Sequence, residues 1–321
     1  MSFKNIIGQD RPIAIIGELM RQSRFQGGYL FAGPEGLGKK LIAIELAKAL
    51  NCEEESLESC EHCPSCVKIN KHEHPDIHLV SVDEETDAIK IESIRQLQKD
   101  IFLKPYEAKV KVFIIDNAHN LTAEAANALL KVLEEPPKSS LIILITALAG
   151  LLFKTIVSRC KIIRFMPLSR KEAEDYLQKD YQLDRRAAHF LAYFSEGRIG
   201  TALRLKDGGI LEQKQIIIDA FVAPGRLDTD RLSLENKENI CRALNILASW
   251  FRDLYLIKTG IAHTQLINFD RVNELSKSMQ RYSFSELEGA LQIISDSLLY
   301  LEQNVNPRLL LANLKAALWK N

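Results

Sequence analysis

Five short runs of the chain, at positions 29–32, 77–82, 111–115, 141–146 and 161–165, are apolar almost without interruption. Between them, apolar residues tend to recur every three or four positions, the period of a helix with one buried face. Ile13, Ile15, Ile16, Leu19 and Met20 recur this way before the first run, and Ile91, Ile94, Leu97 and Ile101 between the second and third. Positions 41–50 are apolar nearly all round, which predicts a buried helix. Thr122 is the expected cap of a helix that runs to Glu135 and stops at Pro136-Pro137. Strands apolar on both faces that alternate with helices form a parallel sheet covered on both sides. The pattern changes at Pro167. Beyond it come two helical stretches within 171–197, a third from 199, and five or so from about 210, broken at Pro224, Gly225 and Gly260. Almost no strand signal remains there, so the chain reads as an α/β part followed by an all-α part.

The stretch Gly33-Pro-Glu-Gly36-Leu-Gly38-Lys39-Lys40 separates the first run from the helix at 41–50. Strand, glycine-rich turn and helix is the order of a phosphate-binding loop. Glycines let backbone N–H groups converge on an anion, and the helix adds the positive end of its dipole. Lys39 stands where such a loop has the lysine that reaches the outer phosphates. The next position takes Ser or Thr, whose hydroxyl binds Mg²⁺. Here it is Lys40, and an ammonium has no lone pair for a metal. The third run leads into Asp116, as in sites where a carboxylate reaches the nucleotide's metal. Gly33, Gly36, Gly38, Lys39, Lys40 and Asp116 are thus a candidate nucleotide site that lacks a part for metal-assisted chemistry. Two readings of the loop stand side by side: it holds ATP or ADP without hydrolysing it, or it is a folded remnant.

Cys52, Cys60, Cys63 and Cys66 fall within fifteen positions. Two adjacent Cys-x-x-Cys steps and one outlying cysteine supply four thiolates, the number that closes a tetrahedral structural zinc site. Free thiols or a redox pair is the competing reading, and a pair leaves Cys52 without a role. His62, His72 and His74 read as surface or turn histidines, and Cys160 and Cys241 as buried apolar residues.

Composition narrows the field. In 321 residues, 42 Lys and Arg balance 42 Asp and Glu, so nothing global selects nucleic acid or an anionic membrane. The segment from Cys52 to Cys66 has five Glu and no Lys or Arg, which argues against a zinc-dependent nucleic-acid-binding module. No run is long enough to span a bilayer and the first residues do not read as a signal peptide. A cytoplasmic protein with reduced cysteines is expected.

Leu121-Thr-x-x-Ala125-x-Asn127-Ala-Leu-Leu-Lys131-x-Leu133-Glu-Glu-Pro-Pro137 closely resembles the signature helix of clamp-loader ATPases. Ser158-Arg159-Cys160 resembles their arginine-finger motif, and Ile6-Ile7-Gly8-Gln9 their adenine-side box. The four-cysteine insert resembles the zinc module of the bacterial members. The resemblance covers residues 3 to about 206, and the remainder by architecture. It implies an AAA+ fold: a five-stranded parallel-sheet domain over 1–167 with a zinc module at about 51–67, a helical lid over 168–207 and a helical collar over 208–321.

Two kinds of bacterial clamp-loader subunit carry that zinc module, an ATP-hydrolysing gamma/tau motor and a relative that generally does not hydrolyse ATP. A motor should have Ser or Thr at 40, Glu at 117 and, in its Gly-x-x-Arg lid motif, Arg at 200. This chain has Lys40, Asn117 and Gly200, with Arg198 offset by two. The departures resemble the non-hydrolysing kind, a component of the DNA polymerase III holoenzyme; a motor is the alternative. In that family Arg159 would act in trans, in a neighbour's ATP site, although a lone arginine is more simply a salt-bridging surface residue. The resemblance implies structural zinc at Cys52, Cys60, Cys63 and Cys66, and negligible intrinsic ATPase. The implied partners are gamma/tau motor subunits and a delta subunit, and through the assembled complex the sliding clamp and primer–template DNA.

Overall fold

In the computed structural model, the described residues are 3, 6–22, 25–54, 57–83, 85–222, 237–303 and 305. The expected breaks at Pro224 and Gly225 lie outside them. The chain divides into two compact units, Met1–Leu168 with Arg198–Thr201, and Ser169–Gly197 with Ala202–Asn321.

The first unit is built on β1 (Gly27–Ala32), β2 (Ile77–Val80), β3 (Lys111–Ile115), β4 (Ser140–Thr146) and β5 (Cys160–Arg164). They form one sheet in the order β2-β3-β4-β1-β5, and every pairing is parallel. Successive side chains point to opposite faces, which sorts them into two cores. Tyr29, Phe31, Val112, Ile114, Leu141 and Ile143 pack with α1 (Asp10–Arg21) and α2 (Lys39–Asn51). Leu30, Phe113, Ile115, Ile142 and Leu144 pack with α4 (Ile91–Ile101), α5 (Ala123–Glu134) and α6 (Lys154–Val157). The short α3 (Pro64–Asn70) carries part of the cysteine cluster. Thr122 caps α5 by accepting from Ala125 N–H at 3.2 Å. The central strands are buried throughout, but β5 is an edge strand of which only Ile163 is buried. Expected coverage of both faces fails there, where Lys161, Ile162 and Arg164 are exposed.

In the second unit, α7 (Arg170–Tyr181) opens with a reciprocal capping box between Ser169 and Glu172, and Asp184 caps α8 (Arg185–Phe194). The helix α9 (Ile199–Asp207) starts in the first unit's Arg198–Thr201 segment and continues into the second. Then come α10 (Ile210–Val222), α11 (Lys237–Lys258), α12 (Val272–Met279) and α13 (Phe284–Glu302), with no strand among the described residues. Buried Asp253 on α11 accepts the backbone N–H groups of Ile267 (3.1 Å) and Asn268 (2.7 Å), fixing the loop before α12.

Candidate functional site

The C-terminal ends of β1, β3 and β4 converge, and the phosphate-binding loop leaves β1 there. Gly33 has φ +153°, and a Cβ on it would come within 2.3 Å of the Phe165 carbonyl oxygen, so only glycine is accommodated. Gly38 is the N-cap of α2 and Lys39 its first residue. The Lys39 side chain is buried and its Nζ donates to the carbonyl oxygens of Gly33 and Pro34. Burial pushes its pKa down to about 8, against the opposing pull of Glu35 and Asp116. Lys40 turns to the other side, with Nζ 3.2 Å from Asp116 Oδ2. A cation is therefore already paired with the carboxylate that would face a metal, and no hydroxyl stands at position 40. The residues present do not fit Mg²⁺ at this position.

Asn117 follows Asp116 in the left-handed region (φ +52°, ψ +46°), which asparagine tolerates. Its amide cannot serve as a base toward water. Gly200 is more than a missing arginine. Its N–H donates to Gly36 O at 2.9 Å, and a Cβ there would lie 2.8 Å from that oxygen. Close backbone approach requires glycine at 200, whatever chemistry an arginine would supply.

Thr146 and His119 join this edge without having been singled out from sequence. Thr146 ends β4 fully buried, with Oγ1 3.2 Å from His119 Nδ1 and accepting from Leu148 N–H at 3.0 Å. Its carbonyl accepts from Gly33 N–H at 3.2 Å. The available signal was a polar residue closing an apolar run, the same signal that marked Asp116.

The cysteine cluster is assembled at the far end of α2. Cys52 is its C-cap, and Cys63 is the N-cap of α3. The sulfur atoms of Cys52, Cys60, Cys63 and Cys66 all lie within 4.8 Å of one another. Zn–S bonds of about 2.3 Å set tetrahedral sulfurs about 3.8 Å apart, so the set fits a closed zinc site. Cys63 N–H donates to Cys60 Sγ (3.3 Å) and Cys66 N–H to Cys63 Sγ (3.4 Å), contacts that favour thiolates. Glu54 and exposed His62 with Cys60 form a second possible ligand group, which shares Cys60 with the first. His72 is an exposed turn residue, but His74 is buried and accepts Asp76 N–H through Nδ1. Cys160 and Cys241 are only partly buried.

A buried ionic network ties the cluster to α2. Lys48 is fully buried, with Nζ 2.7 Å from both Glu45 Oε1 and Glu61 Oε1. Ser59 bonds both carboxylates, and Asn70 on α3 donates to Glu61 at 3.0 Å.

Arg159 is not part of either cluster. β5 runs parallel to β1 with Cys160 opposite Gly28, so Arg159 stands at the N-terminal edge of the sheet. At about 3.3 Å per residue, that is roughly 20 Å along the strand from Gly33. Its side chain cannot reach its own phosphate loop. Arg159 Nε donates to Glu134 Oε1 at 2.8 Å, Nη2 lies 2.6 Å from the same oxygen, and Nη1 donates to Thr155 O at 3.0 Å.

A family model described as DNA polymerase III, delta subunit matches residues 8–169, and one described as DNA polymerase III, delta subunit, C terminal matches residues 228–315. The chain is 40% identical to DNA polymerase III subunit delta' of Bacillus subtilis over 169 residues, 53% of this chain and 51% of that one. It is 31% identical to DNA polymerase III subunit gamma of Buchnera aphidicola over 214 residues, 65% of this chain and 58% of that one. The matches thus span a little over half the length of either relative. A solved DNA polymerase III gamma-subunit-related protein of Thermotoga maritima aligns at 21% identity and a TM-score of 0.41, over 94% of this chain and 98% of that one.

Proposed function

The chain belongs to the DNA polymerase III delta-subunit family of clamp-loader components, and on that premise we propose that it is the non-hydrolysing, delta-prime kind of subunit. It works with gamma/tau motor subunits and a delta subunit to load the sliding clamp onto primed DNA. The observation that carries this reading is the Lys40–Asp116 pair, which takes the place of a metal-binding hydroxyl and its carboxylate. With Asn117 in place of a base, ATP or ADP held in the phosphate loop would not be turned over. The chain's contribution to hydrolysis is Arg159, acting in a neighbouring motor's ATP site. A guanidinium there offsets charge on the transferred phosphoryl group and is worth roughly 10³–10⁵ in rate. The position of Arg159, out of reach of its own loop, supports action in trans. Zinc on Cys52, Cys60, Cys63 and Cys66 is structural, since four thiolates leave no open coordination position.

Among the described residues, no helix is long and apolar enough to cross a membrane. The test is a reconstituted complex of this chain with motor and delta subunits. Arg159→Ala is expected to depress ATP turnover and clamp loading while the complex still assembles; unchanged rates would remove the finger. The isolated chain is expected to show negligible ATPase, and ordinary turnover would return the motor reading.

A further inference from the structure

We propose that Glu134 is the positioning residue for Arg159, holding the guanidinium by one edge so that its remaining donors face outward, ready for a phosphate oxygen on another chain. The proposal rests on the reading of Arg159 as a finger in trans. Glu134 is the last residue of α5, and its single oxygen Oε1 takes both Nε (2.8 Å) and Nη2 (2.6 Å). Nη1 is held by the Thr155 carbonyl at 3.0 Å and only loosely by Ser158 Oγ at 3.5 Å. A guanidinium has five N–H donors in one plane. Three of them donate in these hydrogen bonds, and Nη2 meets Glu134 as an ion-pair contact only, so its two donors have no hydrogen-bond partner among the described residues. The Ser158 contact is long enough to yield to a charged acceptor. The side chain is 34% exposed, so it is not sealed into the core.

Helix stability does not explain Glu134. A carboxylate at a helix C-terminus faces the negative end of the dipole, where a basic residue is favoured. As the Glu134 side chain is 51% exposed, the ion pair adds little to folding. What it does is remove rotameric freedom from a long, flexible side chain. A finger already held in place loses less entropy when the transition state forms.

The experiment uses the reconstituted complex with full-length chains, comparing wild type, Glu134→Ala, Arg159→Ala and the double variant for steady-state ATP turnover. Glu134→Ala is expected to lower kcat roughly tenfold, as a misplaced catalytic group does, with KM for ATP unchanged. The double variant is expected to equal Arg159→Ala, because Glu134 acts only through the arginine. Wild-type turnover in Glu134→Ala beside a loss in Arg159→Ala would overturn the proposal and leave the finger standing. So would faster turnover, which would make Glu134 a restraint on the finger, or a double variant slower than Arg159→Ala. Unchanged turnover in Arg159→Ala would remove finger and positioning residue together. Should Glu134→Ala fail to assemble, Glu134→Met carries the same comparison, since it removes both acceptor oxygens at a similar side-chain length.

Discussion

Lys40 Nζ stands 3.2 Å from Asp116 Oδ2, so an ammonium on α2 meets the carboxylate that follows β3. With Lys40 44% exposed, the pair contributes on the order of 0–1 kcal/mol to folding. Its effect is occupancy rather than stability. A divalent cation entering here would have to displace a covalently tethered one and would find no hydroxyl ligand.

Nucleotide binding should therefore be indifferent to magnesium. Titration with a fluorescent ATP analogue is expected to give the same affinity in Mg²⁺ and in EDTA. Lys40→Ser frees Asp116 and supplies a hydroxyl, so its affinity should become Mg²⁺-dependent. A wild-type chain that needs Mg²⁺ to bind would contradict this account.

Lys39 sets a pH limit on the same loop. Its pKa of about 8 in the folded chain lies below the unfolded value of about 10.4. The unfolded chain holds this proton more firmly, so the Lys39 contribution makes folding more favourable as pH rises from about 8 to about 10. Anion binding runs the opposite way, because it needs the ammonium. Pyrophosphate or nucleotide affinity should fall as pH passes 8, and Lys39→Met should abolish that slope. Isothermal titration from pH 7 to 9.5 measures it.

The cysteine cluster should hold one zinc ion per chain after purification without chelator, as read by metal analysis. Removing the metal, or Cys63→Ser, is expected to loosen the segment from Cys52 to Asn70 while the sheet persists. Limited proteolysis should then cut within that segment and spare the strands. Full resistance in the metal-free chain would count against a folding role for zinc.

Lys48 should matter far more to stability than any surface lysine. Lys48→Met leaves the buried Glu45 carboxylate without the ammonium it faces, at a cost of about 3–5 kcal/mol in urea unfolding. Adding Glu45→Gln should recover part of that loss. A cost under about 1 kcal/mol for the single change would show that the network is not a stabilising unit.

The parallel sheet was legible because each central strand is apolar on both faces and ends at a turn signal. Its edges were not: Ile162 on β5 is exposed, and an isolated apolar run does not say which flank lacks a neighbour. At the candidate site, Lys40, Asn117 and Gly200 were readable as departures from a pattern. Their counterparts were not. That Lys40 faces Asp116, that Gly200 touches Gly36, and that Thr146 meets His119 depend on how the strand ends converge. Lys48 was invisible for another reason: a lysine in an apolar helix reads as a solvated break until the acids that bury with it are known.

The placement of Arg159 and the phosphate loop at opposite edges of one parallel sheet gives the molecule a polarity. Surfaces at opposite edges are not one self-complementary patch, so contacts that bring a finger to a loop run head to tail and have no two-fold axis. Stacking of that kind is directional and has a first member and a last. On the proposed reading, this chain donates a finger and has no hydrolysis of its own to be assisted. It belongs at the terminus where no further donor is required, and so fixes where the series begins.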